Sequence, residues 1–510
     1  MMENIVIDPS PPIPALPIVK DKTKIDVRYA VVVPYVTIHI YWDSDASELR
    51  YDVEEPILSN EEKENLEKIE SGMVELINVN IVVEKTQSSI LEYIDKTAKL
   101  LITELNLSVS EESYRKLFYY LYRDFAGLNE IDALMNDYFI EDIECNGLDS
   151  PIYIVHRVYR NIKTNIVFNS MERLTSFVEK LAQRCGRYVS YATPILDGSL
   201  PDGSRVNATY TADITSKGPT FTIRKFTTLP WTPIQLIGFN TLSPEMLAYL
   251  WILVQYKMNI LIAGGTSSGK TTMLNAIAFF IPPEARVVSI EDTRELNLPR
   301  ENWLPSVARS AIGVGSVGEV DLFKLLKNSF RQNPDYVIVG EVRGQEAFVL
   351  FQGMASGHSS LSTFHADSVD TVIKRLETPP IELSPTLINT LDAIVIMNHV
   401  IVKKEHTRRL TSIVEIVNVN PEGIAITNTP FMWNPADDKF YFKKDSRVFD
   451  KIRRRYGITE EQLNNEFMLR TRLIYKMHLM KIHGFEEIQR IINEYYKNPE
   501  AVLRKFGIIK

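Results

Sequence analysis

The chain has 510 residues, 45% of them hydrophobic and 24% charged, with 57 basic against 65 acidic side chains for a net charge of −8. That length exceeds what one hydrophobic core serves and predicts about two to four domains, while the composition excludes global disorder. The acidic balance argues against a polyanion-binding surface, and two cysteines outside any C-x-x-C pair, Cys145 and Cys185, exclude a structural zinc and fit a reducing cytoplasm.

The N-terminus lacks the basic start and apolar core of a signal peptide. The longest apolar stretches, near Tyr29 to Trp42 and Leu247 to Tyr256, fall short of the roughly 20 residues a membrane helix needs, so any membrane role is expected to be peripheral. Residues 1–24 carry prolines at 9, 11, 12, 14 and 17, which remove amide donors and hold the backbone extended; the segment reads as a mobile tail. PYVTIHIYWD then alternates with period two, and LRYDVEEP follows the turn-rich SDAS, which predicts a hairpin. Helical patterns run from NEEKENLEKIE through ILEYIDKTAKLLITEL to SYRKLFYYLYRDF, so residues 25–129 read as a hairpin and helical region.

Residues 130–226 hold strand-like YIVHRVY and TNIVF, a helix near Glu172 to Cys185, and two short extended pieces ending in TFTIRKF; they read as a small α/β domain. TTLPWTPIQLIGFN interrupts the periodicity and reads as a linker over 227–240. The core is expected over 241–405. Beyond it, over 406–510, come strands separated by Asn, Pro, Gly and Asp turns and then helices, with Thr459 and Gln462 spaced as a capping box.

The chemistry sits in the centre. NILIA reads as a buried strand and leads directly into Gly264, Gly265, Thr266, Ser267, Ser268, Gly269, Lys270, Thr271 and Thr272. Glycines let backbone amides turn inward around phosphate oxygens, and a following helix adds its positive N-terminal end; this is a P-loop. Lys270 would neutralise the terminal phosphates of ATP, and the Thr271 hydroxyl suits Mg2+. Carboxylates are expected at the ends of two apolar strands: Glu291, Asp292 and Glu295 in VVSIEDTRE, and Glu341 in YVIVGEVR. Many P-loop enzymes place an aspartate where Gly340 stands, so Glu341 is expected to reach the metal through water. GHSSLSTFHADS supplies His358 and His365, whose residue type alone does not decide between a structural and a functional role.

In order, GGTSSGKT, SIEDTRE, GEVRG and GHSSLSTFHA resemble the Walker A, Asp box, atypical Walker B and His box of the secretion ATPase superfamily, which drives type II secretion, type IV pili and type IV secretion. The likeness extends left through GPTFTIRKF, DGSRVNA and IEDIECNGLDSPIYIVHR to cover about residues 130–400, and the left-hand segments look like the archaeal branch. Within that branch the chain looks most like the archaellum motor ATPase; the adhesive-pilus assembly ATPase is the alternative, and a nucleic-acid translocase is disfavoured by the charge.

The resemblance implies an α/β fold: a RecA-like P-loop motor domain with a twisted, mainly parallel sheet, preceded by a smaller α/β domain. It also implies that Glu295 orients or deprotonates the attacking water, that Glu341 helps hold magnesium with those two roles exchangeable, and that His358 and His365 sense the γ-phosphate or couple its loss to movement. Arg205 and Arg224 would complete the site from the N-terminal domain. The implied assembly is a homo-hexamer at the inner face of the cell membrane, working with a polytopic membrane platform protein and archaellum accessory proteins. No nucleic acid is expected as a partner.

Overall fold

The computed structural model describes the chain apart from residues 1–6, 10, 15, 18–20, 77–86, 228, 310–317, 404 and 510. Two compact units divide it, residues 1–226 and 227–510.

Unit one is built on a nine-stranded sheet: β1 (Asp26–Val32), β2 (Val36–Asp43), β3 (Glu48–Glu54), β4 (Ile140–Cys145), β5 (Pro151–His156), β6 (Arg160–Val167), β7 (Ile195–Ser199), β8 (Arg205–Thr209) and β9 (Thr220–Arg224), in the order β1-β2-β3-β6-β5-β4-β9-β8-β7. Alternation in PYVTIHIYWD and LRYDVEEP places Ile38 and Ile40 opposite Val53 and Tyr51 on the buried face of an antiparallel pair. Sequence periodicity separates a region ending at 129 from an α/β domain beginning at 130, but β3 pairs in parallel with β6 and merges the two into one sheet. Asn165 ties that seam, its amide taking the N–H of Val53 at 3.0 Å and giving to its carbonyl at 3.1 Å. One core receives side chains from both halves, among them Leu117, Phe118, Ile154 and Phe177.

Part of the expected tail lies outside the described residues. The rest does not hang free: Ile7 is buried, Asp8 exchanges backbone hydrogen bonds with Val33, and the Pro17 carbonyl accepts from the Tyr159 hydroxyl at 2.9 Å. Apolar side chains before and among the prolines, Ile7 and Leu16, find the core of the unit and outweigh the missing amides.

Unit two carries a second nine-stranded sheet: β10 (Ile260–Gly264), β11 (Val287–Glu291), β12 (Trp303–Val307), β13 (Tyr336–Val342), β14 (Ser359–Phe364), β15 (Ala393–Val402), β16 (Glu405–Val419), β17 (Ala425–Asn434) and β18 (Lys439–Phe442). The order is β12-β11-β13-β14-β10-β15-β16-β17-β18, parallel from β12 to β15 and antiparallel from β15 to β18. Strands β10, β11 and β14 are buried throughout, as expected of parallel strands covered on both faces. Alternate residues feed two cores: Ile260 and Ile262 pack with the helices Pro244–Gln255, Lys270–Ala278 and Glu460–Leu479, Leu261 and Ala263 with Glu346–Ala355 and Val369–Glu377. The result is a helix–sheet–helix sandwich around a twisted, mainly parallel central sheet.

Two expected boundaries shift. Residues 227–240 do not form a free linker, because Thr232 and Gln235 close a capping box at the start of the helix Pro233–Gly238, whose Ile234 and Leu236 enter the core of unit two. The division at 405 falls at the turn between β15 and β16, so the strands of the C-terminal segment continue the same sheet.

Candidate nucleotide site

The P-loop follows β10 and leads into the helix Lys270–Ala278. Gly264 is required by its neighbours: a Cβ there would stand 2.3 Å from the Met397 carbonyl of β15 and 2.4 Å from Ser268 Oγ. Gly269, the residue before the helix, has φ +94, a conformation that L side chains rarely adopt. Ser268 Oγ donates to the Gly265 carbonyl at 2.9 Å and closes the loop on itself, while Thr266 and Ser267 are exposed at its tip. Lys270 Nζ turns back onto the carbonyls of Gly264 at 3.1 Å and Gly265 at 2.9 Å. Burial lowers its pKa, and the charges of Glu341 and Glu295 oppose that effect, so both carboxylates lie within electrostatic reach of the lysine. Thr271 and Thr272 form the first turn of the helix.

Parallel strands bring these groups together because β10, β11, β13 and β14 all end at one edge of the sheet. Glu295 follows β11 and is exposed; its backbone is held by side chains of Glu291 and Asn275. Glu341 lies near the end of β13, where the register with β14 shifts between Val339 and Val342. Arg343 Nη2 stands 2.5 Å from Glu341 Oε2, and its Nη1 lies 3.8 Å from Asp292, so the pair is bridged by one guanidinium. Glu346, buried, takes the N–H groups of Arg343 at 2.6 Å and Gly344 at 2.7 Å and so fixes the turn after Glu341. A Cβ at Gly340 would press on Glu291 Cγ at 3.1 Å, closer than ordinary van der Waals contact.

The two histidines separate. His365 follows Phe364 at the P-loop edge and is exposed. His358 precedes Ser359, at the opposite end of β14, where its ring packs 4.9 Å from that of Phe330. Six strand residues at about 3.3 Å each put it roughly 20 Å from that edge. Of the two histidines expected to sense the γ-phosphate or couple its loss to movement, His365 lies at the P-loop edge and His358 at the far end of β14. In unit one, Arg205 and Arg224 are register partners on β8 and β9. Their side chains are 48% and 67% exposed and pair with Asp197 and Asp142 respectively, each at 3.2 Å.

Several residues beyond those singled out in the motifs also touch this site. Arg408 of β16 donates from Nε to the Ser267 carbonyl at 2.9 Å, and its Cδ lies 3.4 Å from where a Cβ of Gly269 would be. The roles of Asn275, Arg343 and Glu346 are not marked by a motif either, because each acts through a contact made by the fold. For Arg343 and Glu346 the adjacency to Glu341 was the available signal. No helix among the described residues is long and apolar enough to cross a membrane.

The model of the type II/IV secretion system protein family matches residues 127–488. The chain belongs to this family. An uncharacterized protein of Methanocaldococcus jannaschii is 36% identical to this secretion-family chain over 490 residues, covering 91% of it and 87% of the relative. The type IV secretion system protein PtlH of Bordetella pertussis is 32% identical over 228 residues, 41% of this chain and 67% of PtlH. Among solved structures, the Legionella pneumophila ATPase DotB matches 57% of this chain and 80% of its own at 18% identity, with a TM-score of 0.40. The family is that of the secretion-system ATPase motors, which bind ATP.

Proposed function

We propose that this chain is an ATP-hydrolysing motor subunit of a homo-hexameric ring that powers assembly or rotation of the archaellum through a membrane platform protein. The observation that carries the enzymatic reading is the convergence of Lys270, Glu295 and Glu341 at the carboxyl edge of one parallel sheet, beside a P-loop shaped by Gly264 and Gly269. On binding ATP, Lys270 would exchange the Gly264 and Gly265 carbonyls for phosphate oxygens, which offer full negative charge in place of dipoles. Thr271, with Glu341 through water, offers the hard oxygen donors that Mg2+ prefers, and the ion would neutralise phosphate charge there. One of Glu295 and Glu341 takes the proton of the attacking water while the other serves the metal. Arg205 and Arg224 would add guanidinium charge to the transferring phosphoryl group, and His365 would respond to the γ-phosphate.

The archaellum assignment draws on the likeness of the proline-rich start, the hairpin and the helical end to that branch. The adhesive-pilus ATPase is the second reading, since it would share every motif at the site. Membrane contact would be peripheral, from the cytoplasmic side.

Purified protein with magnesium should hydrolyse ATP. Lys270→Ala should abolish turnover and weaken nucleotide binding, and Glu295→Gln and Glu341→Gln should bind ATP and each lose about a hundredfold or more in kcat. Parental rates in both glutamate variants would refute the assignment of the carboxylates, and failure of the parental protein to bind ATP would refute the enzyme. Loss of swimming with surface adhesion intact, in a strain lacking the gene, separates the archaellum from the pilus.

A further inference from the structure

Residues 295–297 belong to neither strand nor helix, yet their backbone groups are held from two sides. Glu291, the last residue of β11, accepts on Oε1 the N–H groups of Glu295 and Leu296, both at 2.9 Å. Asn275, on the P-loop helix, donates from Nδ2 to the Glu295 carbonyl at 3.3 Å and accepts the Asn297 N–H on Oδ1 at 3.1 Å. Glu295 thus has its N–H fixed by the strand and its C=O by the helix that carries Lys270 and Thr271.

Both clamping residues are buried, Glu291 at 1% exposure and Asn275 at 3%. Glu291 also retains an unsatisfied atom: Oε2 is buried without a hydrogen-bond partner. Burial pushes its carboxyl up to about 7. A buried acceptor left unpaired costs free energy, so a position selected for stability alone would favour a smaller or apolar side chain. Below it, Gly340 is the residue that leaves room for the Glu291 methylene chain. The arrangement spends stability to hold one exposed carboxylate.

We infer that Glu291 and Asn275 are positioning residues for the hydrolytic step: together they fix the backbone of Glu295 against the P-loop helix, so that its carboxylate keeps a set place relative to Lys270. This rests on the reading of Glu295 as a reacting carboxylate. Glu291 acts through Glu295, and Asn275, whose Nδ2 also lies 3.3 Å from the Thr271 carbonyl, ties Glu295 to the P-loop helix.

The test measures kcat and KM for magnesium ATP, and the Kd of a fluorescent ATP analogue, in the full-length protein. Glu291→Ala should lower kcat by about 10- to 100-fold, the scale of a displacement near 1 Å, with KM and Kd changed by less than about threefold. Glu291→Gln keeps the Oε1 acceptor and should return kcat to within about threefold of the parent. In an Glu295→Gln background, adding Glu291→Ala should lower the residual rate no further, because both changes remove the same contribution. Should Glu291→Ala fail to fold, Asn275→Ala leaves β11 untouched and carries the same expectation. Parental kcat in both alanine variants, a Kd that rises as much as kcat falls, or additive losses in the double variant would overturn the inference. A Glu295→Gln protein with parental activity would instead overturn the reading beneath it, and the inference with it.

Discussion

Glu291 shows how a residue's surroundings change what its chemistry means. A glutamate at a strand end reads as a solvated charge or a candidate base, yet here burial raises its pKa to about 7 from an ordinary 4.5. The folded protein therefore binds this proton more tightly than the unfolded chain does, so the group stabilises the fold fully below about 4.5 and loses that contribution as pH rises through about 7. Glu291→Gln has no proton to lose. Its melting temperature relative to the parent should rise between about pH 5 and about pH 8, and a gap that stays constant across that range would show that Glu291 does not titrate there. At this scale the sequence was most legible where chemistry is contiguous: Gly264 to Thr271 supply a strand end, a turn and a helix start in one stretch. It was least legible where a side chain acts across the fold, as Asn275 does on residues 20 and 22 positions away.

Among elements, β14 explains why one motif divides. GHSSLSTFHA reads as a single cluster, but a buried strand runs through it, and its histidines fall at opposite ends of the sheet. Periodicity reveals that a strand is present; it does not reveal which flanking residue shares an edge with the P-loop until the parallel pairing with β10 is known. The antiparallel strands β16 and β17 join the core through the backbone pairing of β15 with β16, and a buried side chain reinforces the junction. Arg409, buried, reaches Asp438 with Nε at 2.8 Å and Nη2 at 3.0 Å; the same carboxylate accepts from Trp433 at 2.8 Å and Asn240 at 3.0 Å. That guanidinium pulls the Asp438 carboxyl down to about 2. Arg409→Ala should cost about 2 kcal/mol in chemical denaturation of the protein, through the unpaired carboxylate and the lost bonds to the preceding helix end. An unchanged midpoint would mean that the sheet extension is held by its backbone pairing and apolar contacts without this ion pair.

For the whole molecule, the division at Phe226 separates two units that each enclose their own core. Residues 227–510 should therefore fold alone, with a cooperative unfolding transition, and bind an ATP analogue through Lys270. If Arg205 and Arg224 serve the hydrolytic step, this fragment should turn ATP over far more slowly than the full chain; equal rates would remove the arginines from the mechanism. The sequence carried the α/β class and the order of motifs to this scale. It missed the fusion of the first 129 residues with the next hundred, because a parallel pairing of two residue pairs between β3 and β6 leaves no periodic trace.

Strand β15 has a mechanical consequence. It is bonded to β10 from Ile260 through Gly264 on one side and to β16 along its full length on the other. A displacement of the carboxyl-terminal meander would thus reach the phosphate seat through paired backbone, softened only where the register shifts, between Ile396 and Met397 on β15 and after Ile413 and Ile416 on β16.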